Sequence, residues 1–185
     1  IRSTQPAPDD TFGRGIDVGC DHQGAGGCAV IELTATVIRR NREAGIVISG
    51  GAATVTGSVV EDTQPNAAHL GAGLGILAQC DTTLADCPVL TVEGSVVRGN
   101  RAIGVQGAGQ ETIIRGSVIA STQPQESDGR LGDGLVAQCD GSLDRCGTLE
   151  VTCSLIEASH HVGIFVSGIA AEVSHPLIRN TDPQE

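Results

Sequence analysis

The chain has 185 residues, 26 of them Gly, with 39% apolar residues but only two aromatics, Phe12 and Phe165, and no Met, Trp, Tyr or Lys. A core drawn from Val, Ile, Leu and Ala favours stacked aliphatic strands over a helical bundle. The formal net charge of −11 repels a polyanionic backbone, so no nucleic acid is expected as a partner, and no run approaches the roughly 20 apolar residues that membrane insertion needs.

In chain order, the first landmark is Thr-Gln-Pro at 4–6, which returns at 63–65 and 122–124 and as Thr-Asp-Pro at 181–183, each step being 59 residues. Self-similarity at a fixed period marks a stacked-repeat architecture. The chain therefore reads as one domain, 1–185, of three units at about 4–62, 63–121 and 122–180. We expect it to belong to a longer chain whose neighbouring repeats are its partners.

Next in each unit comes a Gly-aliphatic pair: Gly15-Ile16, Gly45-Ile46, Gly75-Ile76, Gly104-Val105, Gly134-Leu135 and Gly163-Ile164. An apolar doublet follows each: Val37-Ile38, Val59-Val60, Val96-Val97, Val118-Ile119, Leu155-Ile156 and Leu177-Ile178. The doublets are 22, 37, 22, 37 and 22 residues apart, so a bare coil has 22 residues and alternate coils carry 15 more. Those extra residues form two insertions flanking one strand, a Thr-Gln-Pro loop before it and a cysteine loop after it.

Strands alternate faces with period two. On that rule Leu33, Val55, Val92, Ile114, Val151 and Val173 point inward, as do a small column (Ala35, Gly57, Gly94, Gly116, Cys153, His175) and the first doublet residues from Val37 to Leu177. Thr36, Ser58, Ser95, Ser117, Ser154 and Pro176 would face solvent. Coils this short, with no 3.6-residue period, leave no room for helices. The expected fold is all-β, a parallel β-helix or solenoid of about six coils, which at about 4.8 Å per strand spacing makes a rod of about 29 Å.

The recurring pattern, as in LTVEGSVVRGN and TIIRGSVIAST, resembles the right-handed parallel β-helix repeat proteins of the pectate-lyase-like (pectin lyase-like) superfamily, from about Gly15 to Ile178. The resemblance implies a right-handed, single-stranded winding. It also implies that any activity would be that of a polysaccharide lyase or glycoside hydrolase, with clustered outward carboxylates and a Lys or Arg.

Six cysteines fall in three loops, Cys20 with Cys28, Cys80 with Cys87 and Cys139 with Cys146. Each loop leaves and re-enters its coil at nearby points, which suits a local disulfide, and three of them point to a secreted, periplasmic or cell-surface setting. The spacing is not that of a zinc site. Cys153 falls in the small column and is expected to be a buried, inert thiol.

The outward column beside the insertions reads Asp17, Val47, Leu77, Gln106, Val136, Phe165. It holds no carboxylate pair, so no catalytic residue is expected. Its apolar members would form a contact strip for another protein unless the insertions cover them. Asp21, Asp81 and Asp140 each follow a loop cysteine, and Asp86, Asp133 and Asp144 lie near; they are weak calcium candidates, a solvated acidic surface being the simpler reading. No cofactor is otherwise expected. His69, in a Thr-Gln-Pro loop where the next unit has Asp128, has no expected role. Paired threonines at 34/36 and 54/56 hint at an ice-binding ladder, which later coils break with Glu93, Ile113 and Arg115.

Arg42, Arg101 and His160 form one column and Arg39 and Arg98 another that ends in Glu157, a ridge that could grip an anionic polysaccharide bidentately. Pairing with acids such as Glu43 and Glu61 is the alternative. The functional expectation is a disulfide-stapled structural or adhesion module without catalysis, with an anionic-glycan-binding module or a relative of polysaccharide lyases and hydrolases as the alternative.

Overall fold

The computed structural model describes residues 1, 4–5, 13–24, 27–66, 68 and 70–182. Phe12 and His69 lie outside them. Each coil contributes three strands. The first coil has β1 (Ile16–Val18), β2 (Val30–Thr34) and β3 (Val37–Arg39), and the second β4 (Ala44–Ser49), β5 (Ala52–Thr56) and β6 (Val59–Glu61). The third has β7 (Leu74–Gln79), β8 (Val89–Glu93) and β9 (Val96–Arg98), and the fourth β10 (Ile103–Ala108), β11 (Glu111–Arg115) and β12 (Val118–Ala120). The fifth has β13 (Asp133–Gln138), β14 (Thr148–Thr152) and β15 (Leu155–Glu157), and the sixth β16 (Ile164–Ser167), β17 (Ala170–Ser174) and β18 (Leu177–Arg179).

Corresponding strands pair in parallel, giving three six-stranded sheets: β1-β4-β7-β10-β13-β16, β2-β5-β8-β11-β14-β17 and β3-β6-β9-β12-β15-β18. This is a three-faced parallel β-helix of six coils. A right-handed wind is the sense that strand twist favours for such crossovers. The core is one continuous aliphatic stack inside the tube, with Ile46, Ile76, Val105 and Leu135 from the first face, Val55, Val92, Ile114 and Val151 from the second, and Ile38, Val60, Val97, Ile119 and Ile156 from the third. Each of these side chains is fully buried.

Three expected columns are displaced by one residue, and one cause explains all of them. Ala35, Gly57, Gly94, Gly116, Cys153 and His175 are exposed corner residues with φ between 49° and 55°, not inward positions. A single left-handed residue ends the pleat, so alternation restarts one residue out of phase. The serines predicted to face solvent therefore turn inward, and Ser58, Ser95, Ser117 and Ser154 are buried. The first doublet residue faces outward, with Val37 and Leu177 exposed, and the second enters the core. Cys153 is correspondingly an exposed free thiol.

The buried serines form a ladder that replaces sheet pairing at the corner. The backbone N–H of Thr36 donates to Ser58 Oγ, that of Ser58 to Ser95 Oγ, that of Ser95 to Ser117 Oγ and that of Ser117 to Ser154 Oγ, at 3.0 to 3.2 Å. Each of these four hydroxyls donates to the carbonyl two residues earlier at 2.9 Å. A second buried polar column, Asn41, Thr63, Asn100, Thr122 and Ser159, follows the next corner. There Asn100 accepts the Thr63 N–H at 3.0 Å and donates to the Val60 carbonyl at 3.1 Å.

Candidate functional site

The first face is the one flanked by insertions, which makes it a trough with two walls. Cysteine loops leave the C-terminal ends of β1, β7 and β13, and each is closed by its disulfide, Cys20–Cys28, Cys80–Cys87 and Cys139–Cys146. The aspartate after each first cysteine organises its own loop. Asp21 Oδ1 accepts the N–H groups of Gln23 and Gly24, Asp81 Oδ1 those of Thr83 and Leu84, and Asp140 Oδ1 those of Ser142 and Leu143. The side chain thus mimics a backbone turn. Asp81 also lies 2.7 Å from His22 Nε2 of the loop one unit away. The Leu84 N–H, opposed by burial and helped by His22 and Thr83, holds the Asp81 carboxyl below the ordinary range. Among the described residues no group of three or more His, Cys, Asp or Glu is placed to hold a metal ion.

The loops stack with a bare coil between them, and glycine makes that stacking fit. Gly50 and Gly109, at φ 76° and 82°, turn the bare coils beneath the bridges. A Cβ on Gly50 would lie 2.5 Å from Cys20 Sγ and 3.1 Å from Asp81 Cβ, and one on Gly109 2.6 Å from Cys80 Sγ and 2.7 Å from Asp140 Cβ.

On the floor, Asp17, Val47, Leu77, Gln106, Val136 and Phe165 are in register as the sequence implied. They do not form an open apolar strip. Val47 and Val136 are buried, Leu77 and Gln106 half-buried, and Phe165 alone of the apolar members is exposed. Val136 packs with Leu74, Ala102, Ile103 and Leu131, the last from the Thr-Gln-Pro wall.

Charged groups beside the floor meet in pairs at one repeated pair of positions, with opposite polarity at the two ends. In the first unit Arg14 donates to Glu43 at 2.6 and 2.8 Å and to Asp17 at 2.7 Å. In the third unit Asp133, almost wholly buried, lies 2.7 Å from His161 Nδ1. The corresponding residues of the middle unit are Leu74 and Ala102, which share an apolar cluster. A salt bridge, an apolar pair and a reversed acid–base pair thus occupy equivalent places. That substitution pattern is what packing complementarity across a coil joint produces. Sequence reading missed these pairs, although the 59-residue register, shifted by one across the longer first cysteine loop, aligns them.

The expected arginine ridge is interleaved with partners. Glu61 stands between Arg39 and Arg98, Ala120 between Arg98 and Glu157, and Arg179 beyond Glu157. Arg98 pairs with Glu61 and Arg179 with Glu157, both at 2.8 Å. Arg42 and Arg101 each donate to a proline carbonyl of the Thr-Gln-Pro turn, Pro65 and Pro124, at 3.2 Å. Arg101 also pairs with Glu126 at 2.8 Å. Gln64 stands beside Arg42 and Gln123 beside Arg101, so the guanidinium groups of the column are separated by amides, with half-buried His160 continuing it. The acid predicted for the ridge at 43 pairs instead with Arg14.

On the second face the threonine ranks are broken by Glu93, Ile113 and Arg115, and Thr36 lies past the corner, off that face. Arg115 pairs there with Glu150, holding the Glu150 carboxyl below the ordinary range against burial. No protein-family model, no curated protein and no solved structure matches the chain.

Proposed function

We propose that this chain is a disulfide-stapled β-helical rod serving as a structural or adhesion module outside the reducing interior of the cell, without chemistry of its own. The observation that carries the reading is that Arg14 is paired with Glu43 and Asp17, Asp133 with His161 and Asp81 with His22 along the trough, while Asp21 and Asp140 are turned onto the backbone of their own loops. A catalytic acid or base must be within reach of a substrate proton. The pectate-lyase-like resemblance supports this only at the level of architecture, and the three disulfides fit a secreted, periplasmic or cell-surface protein.

The test is an array of diverse glycans, with and without calcium, alongside an assay for unsaturated product or new reducing ends from acidic polysaccharides. The rod reading expects a blank array and no product. Saturable binding to acidic glycans that is lost in Arg42→Glu with Arg101→Glu would replace it with the glycan-binding reading, and product release with an enzymatic one.

A further inference from the structure

Each strand of the third face is three residues long and turns its middle residue into the core, which leaves two outward columns. Across the inner coils the first column is aliphatic, Val59, Val96, Val118 and Leu155, each in register with the next. All four are half-buried, and among the described residues none joins either apolar cluster of the tube. The rim beside them is bare, since a Cβ added to Gly57, Gly94 or Gly116 would meet nothing within 4 Å. A continuous aliphatic column on an outer face marks a contact surface.

The second column identifies the partner. It reads Glu61, Arg98, Ala120, Glu157, Arg179, so its charges change sign across Ala120. A copy of this ladder turned end for end about Ala120 sets Arg98 against Glu157 and Glu61 against Arg179, and opposes no like charges. Turned about Arg98 or Glu157 instead, it sets that residue on itself. Turned about the gap on either side of Ala120, it opposes Glu61 to Glu157 or Arg98 to Arg179. The turn about Ala120 also lays the aliphatic columns on each other, Val118 on itself and Val96 on Leu155. Two faces laid in the same direction exchange left and right, and cannot match both columns at once. Within each ladder Arg98 pairs with Glu61 and Arg179 with Glu157, both at 2.8 Å. The cross pairs therefore close these into two rings of four alternating charges. Such complementarity fixes the register of a contact.

We propose that the third face is a docking surface for the third face of a second copy of this chain, laid antiparallel about a two-fold axis at Val118 and Ala120. The same patch serves both partners, so the contact closes at a dimer. Two outward residues per strand offer less than the roughly 800 Å² per partner of a standard interface, so the pairing is weak and reversible.

Sedimentation velocity on the oxidised chain over a concentration series tests this. A monomer–dimer equilibrium that stops at two is expected. Val118→Lys sets two ammonium groups face to face on the axis and should give monomers. Its melting temperature should stay within a few degrees, because the side chain points away from the core. For the register, Cys153→Ser with Val118→Cys should form a chain-to-chain disulfide under mild oxidation. Cys153→Ser with Val59→Cys should not, since position 59 faces position 177 of the other copy. A monomer up to about 1 mM, growth beyond the dimer, a dimer that survives Val118→Lys, or cross-linking at 118 no faster than at 59 overturns the proposal. Glycan binding lost in Arg42→Glu with Arg101→Glu would overturn the structural reading above and leave this inference standing, since neither arginine lies on a strand of the third face.

Discussion

Gly57, Gly94 and Gly116 occupy left-handed corners where an added Cβ would meet nothing within 4 Å, so backbone strain is the sole cost of a side chain there. Gly116→Ala should lower stability by about 1 kcal/mol. Cys153→Gly, at the equivalent corner of the fifth coil, should raise stability by up to about 1 kcal/mol, both read from urea midpoints. Equal midpoints for all three proteins would show that the corner strain is not felt. The Asp133–His161 pair makes a sharper case. His161→Ala leaves a nearly buried carboxylate without its ring partner, whereas Asp133→Leu with His161→Ala rebuilds the Leu74–Ala102 arrangement of the middle unit. The double variant should be more stable than the sum of the single changes implies, with a coupling of about 0.5 to 3 kcal/mol. Strict additivity would mean that the two residues do not support each other. Asp81, Asp128 and Glu150 are all held below their ordinary carboxylate range. The leading causes are the Leu84 N–H for Asp81, the Arg130 N–H for Asp128 and the Arg115 guanidinium for Glu150, with burial opposing each. Groups depressed on folding stabilise fully above their unfolded values and lose that contribution as pH falls through the folded ones. The melting temperature should therefore drop on acidification from about pH 5 to about pH 2; a rise over that interval would sink the assignment.

At the scale of elements, the strands are very short, three residues on the third face, and the corners between them do much of the holding. Ser95→Ala removes the acceptor of the buried Ser58 N–H and should cost about 1 to 3 kcal/mol, more than an exposed serine would. A loss no larger than that of an exposed Ser→Ala control would show that the ladder is incidental. The cysteine loops act through the unfolded chain as well. Replacing Cys80 and Cys87 by Ser frees a short loop and should lower stability by about 2 to 3 kcal/mol, visible as a matching shift in unfolding midpoint. The strands, their order and the loop positions were legible in the sequence because each recurs at a fixed spacing. The faces were not legible throughout. Period-two counting carried across Ala35 or Gly57 inverts every residue as far as the next corner, and nothing in the residue types marks the left-handed turn when Ala, Cys or His occupies it. The trough was legible as a column and misleading as a surface, since Leu131, which packs on Val136, comes from an insertion and not from a strand whose alternation would show which way it faces.

At the scale of the whole molecule, the tube is one aliphatic stack whose joints are all alike in strand pairing but of two kinds in loop content. The candidate ridge of arginines was visible in the 59-residue spacing of Arg42 and Arg101. Of its partners, Glu61 is the one the sequence names, and it pairs with Arg98, 37 residues on; the carbonyls of Pro65 and Pro124, 23 residues after Arg42 and Arg101, carry no signal in residue type. The glycines beneath the disulfides set a further condition on how such a tube can change length. Inserting a loop-bearing coil, or deleting a bare one, would bring one cysteine loop directly over another, where the bridge and the following aspartate now face Gly50 or Gly109. A change of two coils restores the fit and moves the ends by about 9.6 Å. Gene duplication acting on the loop-bearing coils is thus held to a ruler with coarse graduations: each can be added only together with a bare neighbour, while one set directly on another would first have to give up a disulfide.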